Sequence, residues 1–484
     1  MSQTINDMIL AVVDILYKPY FVPLILLAAG VYFTIRTRFM QLTLFKQACK
    51  AIMDKPQQKD GISSFGALMV STASRVGTGN IIGVSTAICL GGPGAVFWMW
   101  ITAVLGGATA FVESTLAQIY KKRRADGTSM GGPAYYMEQA LGARWLGVIF
   151  SGIIILIYAL GYNLLASYNL QSTFEVFSFY HANTTPILIG IVLAILFGII
   201  VIGGARRLIK VTEVVVPVMG ILYVLVSLIV MAVNYRNLPG MFRMIFEGAF
   251  DFQSVLGGFS GSCIMWGIRR GLYSNEAGMG SAPNASAKAD VSHPAKQGLV
   301  QMISVFIDTL LICTASAFMC LCSGVVPTEK LAGAAYVQES IKATLGEFGP
   351  VFMAVAMSLF AFTTLIGNYS YCEGCLEFIL KRESRKAELI VFRVLATGII
   401  FFGAISKADL VWNLADLLQG LAVVANVPVL LLSGGTAIKC LNDYAEQIKK
   451  GHKPHFSKAA IGLLHDTDYW NDTSSVLENA KEVE

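Results

Sequence analysis

The chain has 484 residues, of which 55% are hydrophobic and only 14% are charged, and its mean hydropathy is +0.62. A soluble fold of this length cannot bury so much apolar surface, so the composition excludes a water-soluble protein and indicates a polytopic protein of the lipid bilayer. The net charge of +5 does not indicate a nucleic-acid partner, because the basic residues crowd into short connections between apolar segments.

The apolar segments predict an all-α protein with eleven membrane-spanning helices. The N-terminus lacks a basic leader followed by a short apolar stretch and a small-residue cleavage site, so we expect the first span to be retained. The predicted spans lie near residues 19–35, 62–90, 94–120, 146–177, 185–203, 212–233, 252–285, 297–323, 349–380, 388–405 and 410–438.

The basic residues of the connections predict the orientation of these spans. If the connection 36–59 lies inside and the spans alternate, 26 Lys and Arg lie inside and 6 lie outside. Cytoplasmic loops are enriched in Lys and Arg. We therefore expect the N-terminus outside and the C-terminus in the cytoplasm, in the plasma membrane or cell inner membrane.

Two spans, 62–90 and 252–285, are interrupted near their middle by glycine and polar residues. Each is also long, since about 29 residues in a helix extend roughly 43 Å, against a hydrocarbon core of about 30 Å. They are the second and seventh spans, so each opens a set of five, and the two sets enter the membrane in opposite directions. This pattern is typical of a 5+5 inverted repeat whose binding site lies between two broken helices.

This interpretation divides the chain into four parts. An extra N-terminal helix with a basic cytoplasmic loop precedes the two repeats, and a polar cytoplasmic tail follows them. The tail is charged and too short to bury a core of its own. The four parts are residues 1–61, 62–233, 234–438 and 439–484.

The motif SRVGTGN interrupts the first long span. Gly77 and Gly79 lower the cost of leaving helical geometry and let a ligand approach the bare backbone. The half-helix that begins near Asn80 would present a positive end to a carboxylate, and the carbonyls that end the preceding half-helix would suit a small cation. A glycine-rich packing face is the alternative, but it leaves Arg75, Thr78 and Asn80 unexplained.

The motif CIMWGIRRGLYSNEAGMGSAP interrupts the second long span. Gly267 supplies flexibility, and Trp266 is either an apolar wall of the site or an interfacial anchor. Charged residues are costly in a span unless they are paired or face a cavity. For Arg269 and Arg270 with Glu276 we favour a cytoplasmic gate or a structural ion pair over direct substrate binding. For Arg75, on the half-helix leading in from the cytoplasm, we likewise predict an inner gate or an ion pair.

Hydroxyl and carboxyl side chains in other spans are candidates for cation binding. Thr363 and Thr364 are adjacent, and their oxygens suit Na⁺, although Thr hydroxyls also bond to their own helix backbone. Asp308, Glu113 and Asp416 could serve ion coupling or pair with basic residues, and the sequence does not rank them. The chain holds no HExxH motif and only five His, which argues against an intramembrane hydrolase.

Three stretches resemble the signatures of the alanine/glycine:cation symporter family. They are GTGNIIGVSTAICLGGPGAVFWMW (77–100), RRGLYSNEAGMGSAP (269–283) and HPAKQGLVQMISVFIDTLLICT (293–314). The resemblance covers nearly the whole chain before the tail, and it implies the fold of the bacterial leucine transporter with one extra helix in front. It implies Na⁺-driven import of a small neutral amino acid, usually alanine or glycine, by alternating access, with no enzyme activity and no cofactor besides Na⁺ as coupling ion. The alternatives are a proton-coupled symporter and a symporter for a larger substrate such as glutamine. The oligomeric state is not predicted.

The resemblance also implies site residues. Typical members carry a QAN-like stretch on span four, where this chain reads NLLASYNLQS, and this difference leaves the preferred amino acid open. The residues implied for the substrate, with candidates from span four, are Gly77, Thr78, Gly79, Asn80, Asn163, Tyr168, Cys263, Met265, Trp266 and Gly267. The residues implied for Na⁺ are Ala73, Val76, Phe360, Thr363 and Thr364.

Overall fold

The computed structural model describes residues 2–17, 21–59, 61–125, 127–250, 263–463 and 467–470. The first part of the predicted span 252–285 and the last part of the predicted tail, 471–484, lie outside these residues. The described chain is mostly helical, with one small sheet.

The helices of the first half are α1 (Ser2–Tyr17), α2 (Phe21–Arg36), α3 (Met40–Thr43), α4 (Phe45–Ile52), α5 (Ser64–Arg75), α6 (Ile82–Gly91), α7 (Ala95–Ile119), α8 (Pro133–Leu141), α9 (Arg144–Ile155), α10 (Tyr162–Ser172), α11 (Thr185–Ile202), α12 (Gly204–Val233) and α13 (Leu238–Ala249). Those of the second half are α14 (Cys263–Asn275), α15 (Ala282–Ser286), α16 (Pro294–Val305), α17 (Thr314–Cys322), α18 (Ala334–Leu345), α19 (Phe348–Leu380), α20 (Lys386–Ala404) and α21 (Ala408–Lys449). Strands β1 (Lys122–Arg123) and β2 (Ser129–Met130) pair antiparallel.

Nine helical segments of the described chain are long and apolar enough to cross a membrane. Two of them contain π-helical turns, 156–161 between α9 and α10, and 306–313 between α16 and α17. π-Helical turns inside α-helices are frequent at functional sites. The two predicted spans that remain are the interrupted ones, so the total of eleven stays a prediction.

The first predicted interruption is present between α5 and α6. Helix α5 begins at its N-cap Ser63, whose hydroxyl accepts a hydrogen bond from the Gly66 amide, and it ends at Arg75. Val76 and Gly77 then leave helical geometry, and a single 3₁₀ turn covers Thr78–Asn80 before α6 begins. The interruption lies where the sequence predicts it, and its residues are buried.

The second interruption is displaced from its expected position. We expected it near Gly267, but α14 continues through this residue to Asn275. A Cβ at Gly267 would lie 2.6 Å from the Cβ of Trp98, so this glycine allows close helix packing instead. The chain leaves the helix at Glu276, which has a φ of 54°, and stays irregular to 281 before α15 begins. Gly278 and Gly280, with φ of 85° and 77°, supply left-handed backbone within this irregular segment.

The tail packs against the helical core in the part that the structure describes. Helix α21 continues to Lys449, well beyond the predicted end of the last span at 438. Farther on, Phe456 is 1% exposed and Ile461 is 5% exposed. The tail side chains Phe456 and Ile461 therefore join the core that the other segments form.

Candidate functional site

The break between α5 and α6 is held by the side chain of Asn80. In a continuous helix the Gly77 amide would donate to the carbonyl of Ala73, but here it donates to Asn80 Oδ1 at 2.8 Å. The backbone amide of Asn80 donates in turn to the Gly77 carbonyl at 3.2 Å. The asparagine therefore provides the hydrogen bond that the interrupted helix loses.

The amide nitrogen of the same side chain joins three elements. Asn80 Nδ2 donates to Asp308 Oδ1 at 2.6 Å and to Ser274 Oγ at 3.0 Å. Asp308 lies in the π-helical turn 306–313, and Ser274 lies one residue before the end of α14. The two broken helices and the π-helical turn meet at Asn80.

The two glycines of the motif face side chains from other helices. A Cβ at Gly79 would lie 2.6 Å from Tyr273 Cδ1, and a Cβ at Gly77 would lie 3.2 Å from Thr364 Cβ. The Tyr273 ring packs edge-on against Tyr162, with the ring centroids 4.9 Å apart. Both positions have to be glycine for these side chains to lie against the backbone of the first break.

The candidate sodium residues divide into two groups. Thr363 Oγ1 donates to the carbonyls of its own helix, at 3.0 Å from Leu359 and 3.1 Å from Phe360. Thr364 Oγ1, by contrast, is buried and has no hydrogen-bond partner among the described residues. The end of α5 lies close to α19, since a Cβ at Gly367 would lie 3.0 Å from the carbonyl carbon of Ala73. The backbone-bonding alternative thus applies to Thr363 and not to Thr364.

No group of three or more His, Cys, Asp or Glu side chains in the described ranges could hold a metal ion. A hydroxyl and backbone carbonyls at the end of α5 remain suitable for a hard monovalent cation, which prefers oxygen ligands.

Arg75 lies beside the second break. Its Nε is 4.0 Å from Glu276 Oε2, and both side chains are almost fully buried. Arg75 Nη1 also donates to Gln301 Oε1 at 3.3 Å, and Glu276 Oε2 accepts a hydrogen bond from Ser281 Oγ at 2.8 Å. The first residue of the second break is therefore connected by charge to the last residue of α5.

Glu113 of α7 supports the same irregular segment from the other side. Its Oε2 accepts hydrogen bonds from the Gly280 amide and from Asn426 Nδ2, both at 3.2 Å. Asn426 Nδ2 also donates to the Gly278 carbonyl at 3.0 Å. Glu113 therefore contacts the backbone of this segment and the side-chain amide of Asn426 on α21.

Arg269 and Arg270 both bind Asp416 of α21. Arg270 Nη2 lies 3.0 Å from Asp416 Oδ2, and Arg269 Nη2 contacts the same oxygen. The Arg270 guanidinium also lies 4.4 Å from the ring centroid of Trp412. This cluster faces a vestibule of about 680 Å³ that Lys330 also lines. The charge bias places Lys330 outside. Because Arg269 and Arg270 line the same vestibule, the expectation that they lie on the cytoplasmic side disagrees with the predicted orientation.

The residues expected at the second break lie away from Asn80. They share the first turns of α14. Tyr273, which covers the first break, follows Trp266 by seven residues, which is about 10 Å along a helix. Trp266 lines the vestibule. These residues are Cys263, Met265, Trp266 and Gly267.

The span-four candidates have different surroundings. Asn163 Oδ1 accepts a hydrogen bond from Asn368 Nδ2 at 2.9 Å, and Asn368 Oδ1 accepts one from Ser74 Oγ at 2.7 Å. Asn163 is thereby connected to α5 through one intermediate side chain. Tyr168 lines the vestibule.

Three further residues contact the first break: Asn169 belongs to the span-four stretch NLLASYNLQS and was a candidate, whereas Tyr273 and Ser274 were not predicted. Asn169 Nδ2 donates to Thr78 Oγ1 at 3.0 Å, while its Oδ1 has no partner in the described part of the chain. Tyr273 and Ser274 contact the break from α14. A signal was present for the last two, because polar YSNE directly precedes the paired glycines of the second break.

Comparisons with known proteins agree with this architecture. The model of the sodium:alanine symporter family matches residues 2–458. The amino-acid carrier protein AlsT of Bacillus subtilis is 42% identical over 98% of this chain and 99% of its own. The probable sodium/glutamine symporter GlnT of the same organism is 41% identical over 99% of both chains. The sodium/alanine symporter AgcS of Methanococcus maripaludis is 36% identical over 87% of this chain and 93% of its own.

A solved structure supports the fold. The crystal structure of MhsT in complex with L-phenylalanine matches with a TM-score of 0.53 over 86% of this chain and 94% of that chain, at 15% identity. This similarity establishes the leucine-transporter fold with its 5+5 inverted repeat. The chain is therefore a multi-pass membrane transporter, not an enzyme, and it belongs to the sodium:alanine symporter family.

Proposed function

We propose that the protein imports a small neutral amino acid, alanine or glycine, together with Na⁺ by alternating access. The names of the similar proteins support an amino acid and a cation as the transported species. The two broken helices meeting at one asparagine support a site between the repeats. Outside and inside are assigned by the predicted orientation, with the N-terminus outside and the C-terminus in the cytoplasm of a plasma membrane.

The amino-acid carboxylate binds at Gly77, Thr78, Gly79 and Asn80 in this proposal. The start of a half-helix there offers amide groups and a partial positive charge to an anion. Asn169 Oδ1, unpartnered in the described chain and next to Thr78, can accept a hydrogen bond from the ammonium group.

The coupling Na⁺ binds beside Thr364 with backbone oxygens of Ala73 and Val76. The single observation that carries this assignment is the buried Thr364 hydroxyl, which has no partner in the described chain and faces Gly77 at the end of α5. A buried hydroxyl without a hydrogen bond is costly, and a cation would satisfy it. Cation and carboxylate would then occupy neighbouring positions, so each would strengthen the binding of the other.

Crowding at the first break favours a small substrate. The Tyr273 ring covers Gly79 and leaves little room for a long side chain there. The glutamine alternative has support from GlnT, which is nearly as similar in sequence as AlsT. Substrate preference therefore has to be measured with alanine, glycine and glutamine together.

Uptake into proteoliposomes tests the proposal. The purified full chain is reconstituted, and labelled alanine, glycine and glutamine are supplied with an inward Na⁺ gradient or with choline in its place. We expect Na⁺ to stimulate alanine and glycine uptake well above that in protein-free liposomes. Uptake that is equal in choline would overturn the sodium assignment, and counterflow that favours glutamine over alanine would overturn the small-substrate assignment.

A further inference from the structure

We propose that Asp308 is a proton-binding site that buried polar side chains connect to the cytoplasmic end of α16, so that each cycle carries a proton as well as Na⁺. The inference rests on the proposed function, because it adds a second coupling ion to that transport cycle.

A polar stripe runs along α16 and the π-helical turn that follows it. Its members are spaced by four, four, three and four residues, which places them on one face of the helix. Each of them is 0% exposed, although the rest of this segment is largely apolar. The stripe consists of His293, Gln297, Gln301, Ser304 and Asp308.

Asp308 has hydrogen-bond donors but no cationic partner within 4.0 Å in the described part of the chain. Oδ1 accepts from Asn80 Nδ2, while Oδ2 lies 2.6 Å from Ser274 Oγ and 2.8 Å from Thr309 Oγ1. A hydroxyl can donate to a carboxylate or accept from a carboxylic acid by rotating its hydrogen. The proton would therefore reside on Oδ2, because this oxygen keeps its hydrogen bonds in both the ionised and the neutral state of Asp308.

Charged and titratable groups of both signs surround Asp308. Arg75 on α5, Glu276 after α14 and the Cys313 thiol at the end of the π-helical turn act on it electrostatically. On the other elements packed against this turn, α7 carries Glu113 and α12 carries the Tyr223 phenol, which lies 2.8 Å from Ser316.

Three buried carboxyl groups thus accompany one buried guanidinium in this region. The carboxyl groups belong to Asp308, Glu276 and Glu113, and the guanidinium belongs to Arg75. An uncompensated charge in a membrane interior is costly, so binding of cations is favoured. The proposed Na⁺ compensates one excess charge and a proton on Asp308 compensates the other.

Between Asp308 and the predicted cytoplasmic end of α16, two members of the stripe bond to α5. Ser304 Oγ lies 3.1 Å from Thr72 Oγ1, and the Gln301 amide binds Arg75. Neither amide atom of Gln297 has a hydrogen-bond partner within the described ranges, although the side chain is fully buried. Buried polar atoms of this kind are usually satisfied by internal water, which can relay protons between side chains. His293 ends the stripe.

Asn80 connects the proton site to the substrate site. It binds Asp308 through Nδ2 and the Gly77 amide through Oδ1, and the proposed substrate carboxylate lies beside it, at the backbone of Thr78 and Gly79. An ionised Asp308 would repel the carboxylate, and a neutral Asp308 would not. Proton and substrate should therefore strengthen the binding of each other by the same factor.

Equilibrium binding of alanine at saturating Na⁺, measured in detergent across a pH range, tests this coupling. We expect affinity to weaken by about tenfold as pH rises, a size usual for coupled sites, and to become independent of pH in Asp308→Asn. The control Asp409→Asn, at the vestibule rim, should keep the wild-type pH dependence. A pH-independent affinity in the wild-type protein would overturn the proposal.

Proton movement is measured separately, with a pH-sensitive dye inside proteoliposomes whose membrane potential is clamped. We expect alanine addition to acidify the lumen, and Gln297→Leu to slow this acidification while Gln139→Leu, away from the stripe, leaves it unchanged. Na⁺-driven alanine uptake without acidification would overturn the proton site and leave the proposed function intact. Absence of Na⁺-driven uptake would overturn the proposed function, whereas the pH dependence of binding would still report on Asp308.

Discussion

The Tyr273 ring lies against Gly79 so closely that a Cβ on the glycine would be 2.6 Å from Tyr273 Cδ1. Gly79 belongs to the first interrupted helix and Tyr273 to the second. The two inverted repeats therefore meet through a contact that only glycine permits.

Gly79→Ala should reduce alanine binding strongly, and Gly79→Val should abolish it. The added carbons overlap the Tyr273 ring, and overpacking of this kind typically costs about 1–3 kcal/mol. Equilibrium binding with purified protein measures the effect. Gly374→Ala is the matched control, because a Cβ there meets nothing within 4 Å. Normal affinity in Gly79→Val would show that the substrate does not bind at this backbone.

The double variant Tyr273→Ala with Gly79→Ala should lose less stability than the sum of the losses in the two single variants. Removal of the ring vacates the volume that the new methyl group needs. A double-mutant cycle of thermal unfolding midpoints measures this coupling. Strictly additive effects would contradict direct contact as the cause.

Thr364→Val should raise the Na⁺ concentration for half-maximal uptake by about tenfold, equivalent to roughly 1.4 kcal/mol. Thermal stability without Na⁺ should be kept or increased, since valine removes a buried hydroxyl that has no hydrogen bond in the described chain. Thr397→Val is the control, because that hydroxyl donates to its own helix at 2.7 Å from the Arg393 carbonyl. An unchanged Na⁺ dependence would exclude Thr364 as a ligand.

Asp416→Asn should destabilise the protein by about 3–5 kcal/mol, because it removes the buried carboxylate that both arginines contact. The unfolding midpoint should fall, and hydrogen exchange near Trp412 should increase. Glu247→Gln breaks the exposed pair with Arg243 and should cost less than about 1 kcal/mol. Equal losses in the two variants would argue against a structural role for the vestibule cluster.

Docking of the tail should depend on pH through Lys121. Burial lowers the pKa of this amine to about 7, while the Asp290 charge partly opposes the shift. Its Nζ lies 3.8 Å from the Tyr469 ring centroid, so the docked tail contributes to that burial. With the tail released, the pKa returns toward 10.5.

The docked state therefore binds fewer protons between these two pKa values. Docking should strengthen as pH rises above about 7. At lower pH the Lys121 amine is protonated in both states, so docking should not depend on pH through this group. Burial also raises the pKa of Tyr469, so its ionisation does not interfere below about pH 10. Hydrogen exchange near Tyr469 at pH 7 and pH 9, corrected for intrinsic rates, measures docking. Lys121→Gln should remove the difference, and a difference that persists in this variant would assign it to another group.

Most of the fold could be predicted from the sequence. Long apolar segments have to be helices, because a bilayer offers no hydrogen-bond partner for an exposed backbone. Glycines and polar residues in the middle of such a segment indicate a break, and two breaks five spans apart indicate the inverted repeat. The first break follows this logic at Gly77 because its neighbours Thr78 and Asn80 are polar as well.

The position of the second break could not be predicted in the same way. Gly267 and Gly278 look alike in sequence, but one packs against α7 and the other has a left-handed backbone. Which glycine packs and which one bends depends on the helix that lies opposite. Sequence spacing does not contain that information.

The sequence by itself determined that this is a polytopic membrane protein with two interrupted spans, a pattern typical of an inverted repeat, because local composition and the demands of the bilayer suffice for that. Only the tertiary structure decided that Thr364 and not Thr363 has a hydroxyl without a partner in the described chain, and that Arg270 pairs with Asp416. These contacts join segments more than a hundred residues apart or depend on the direction of one side chain. Packing of the assembled helices fixes both.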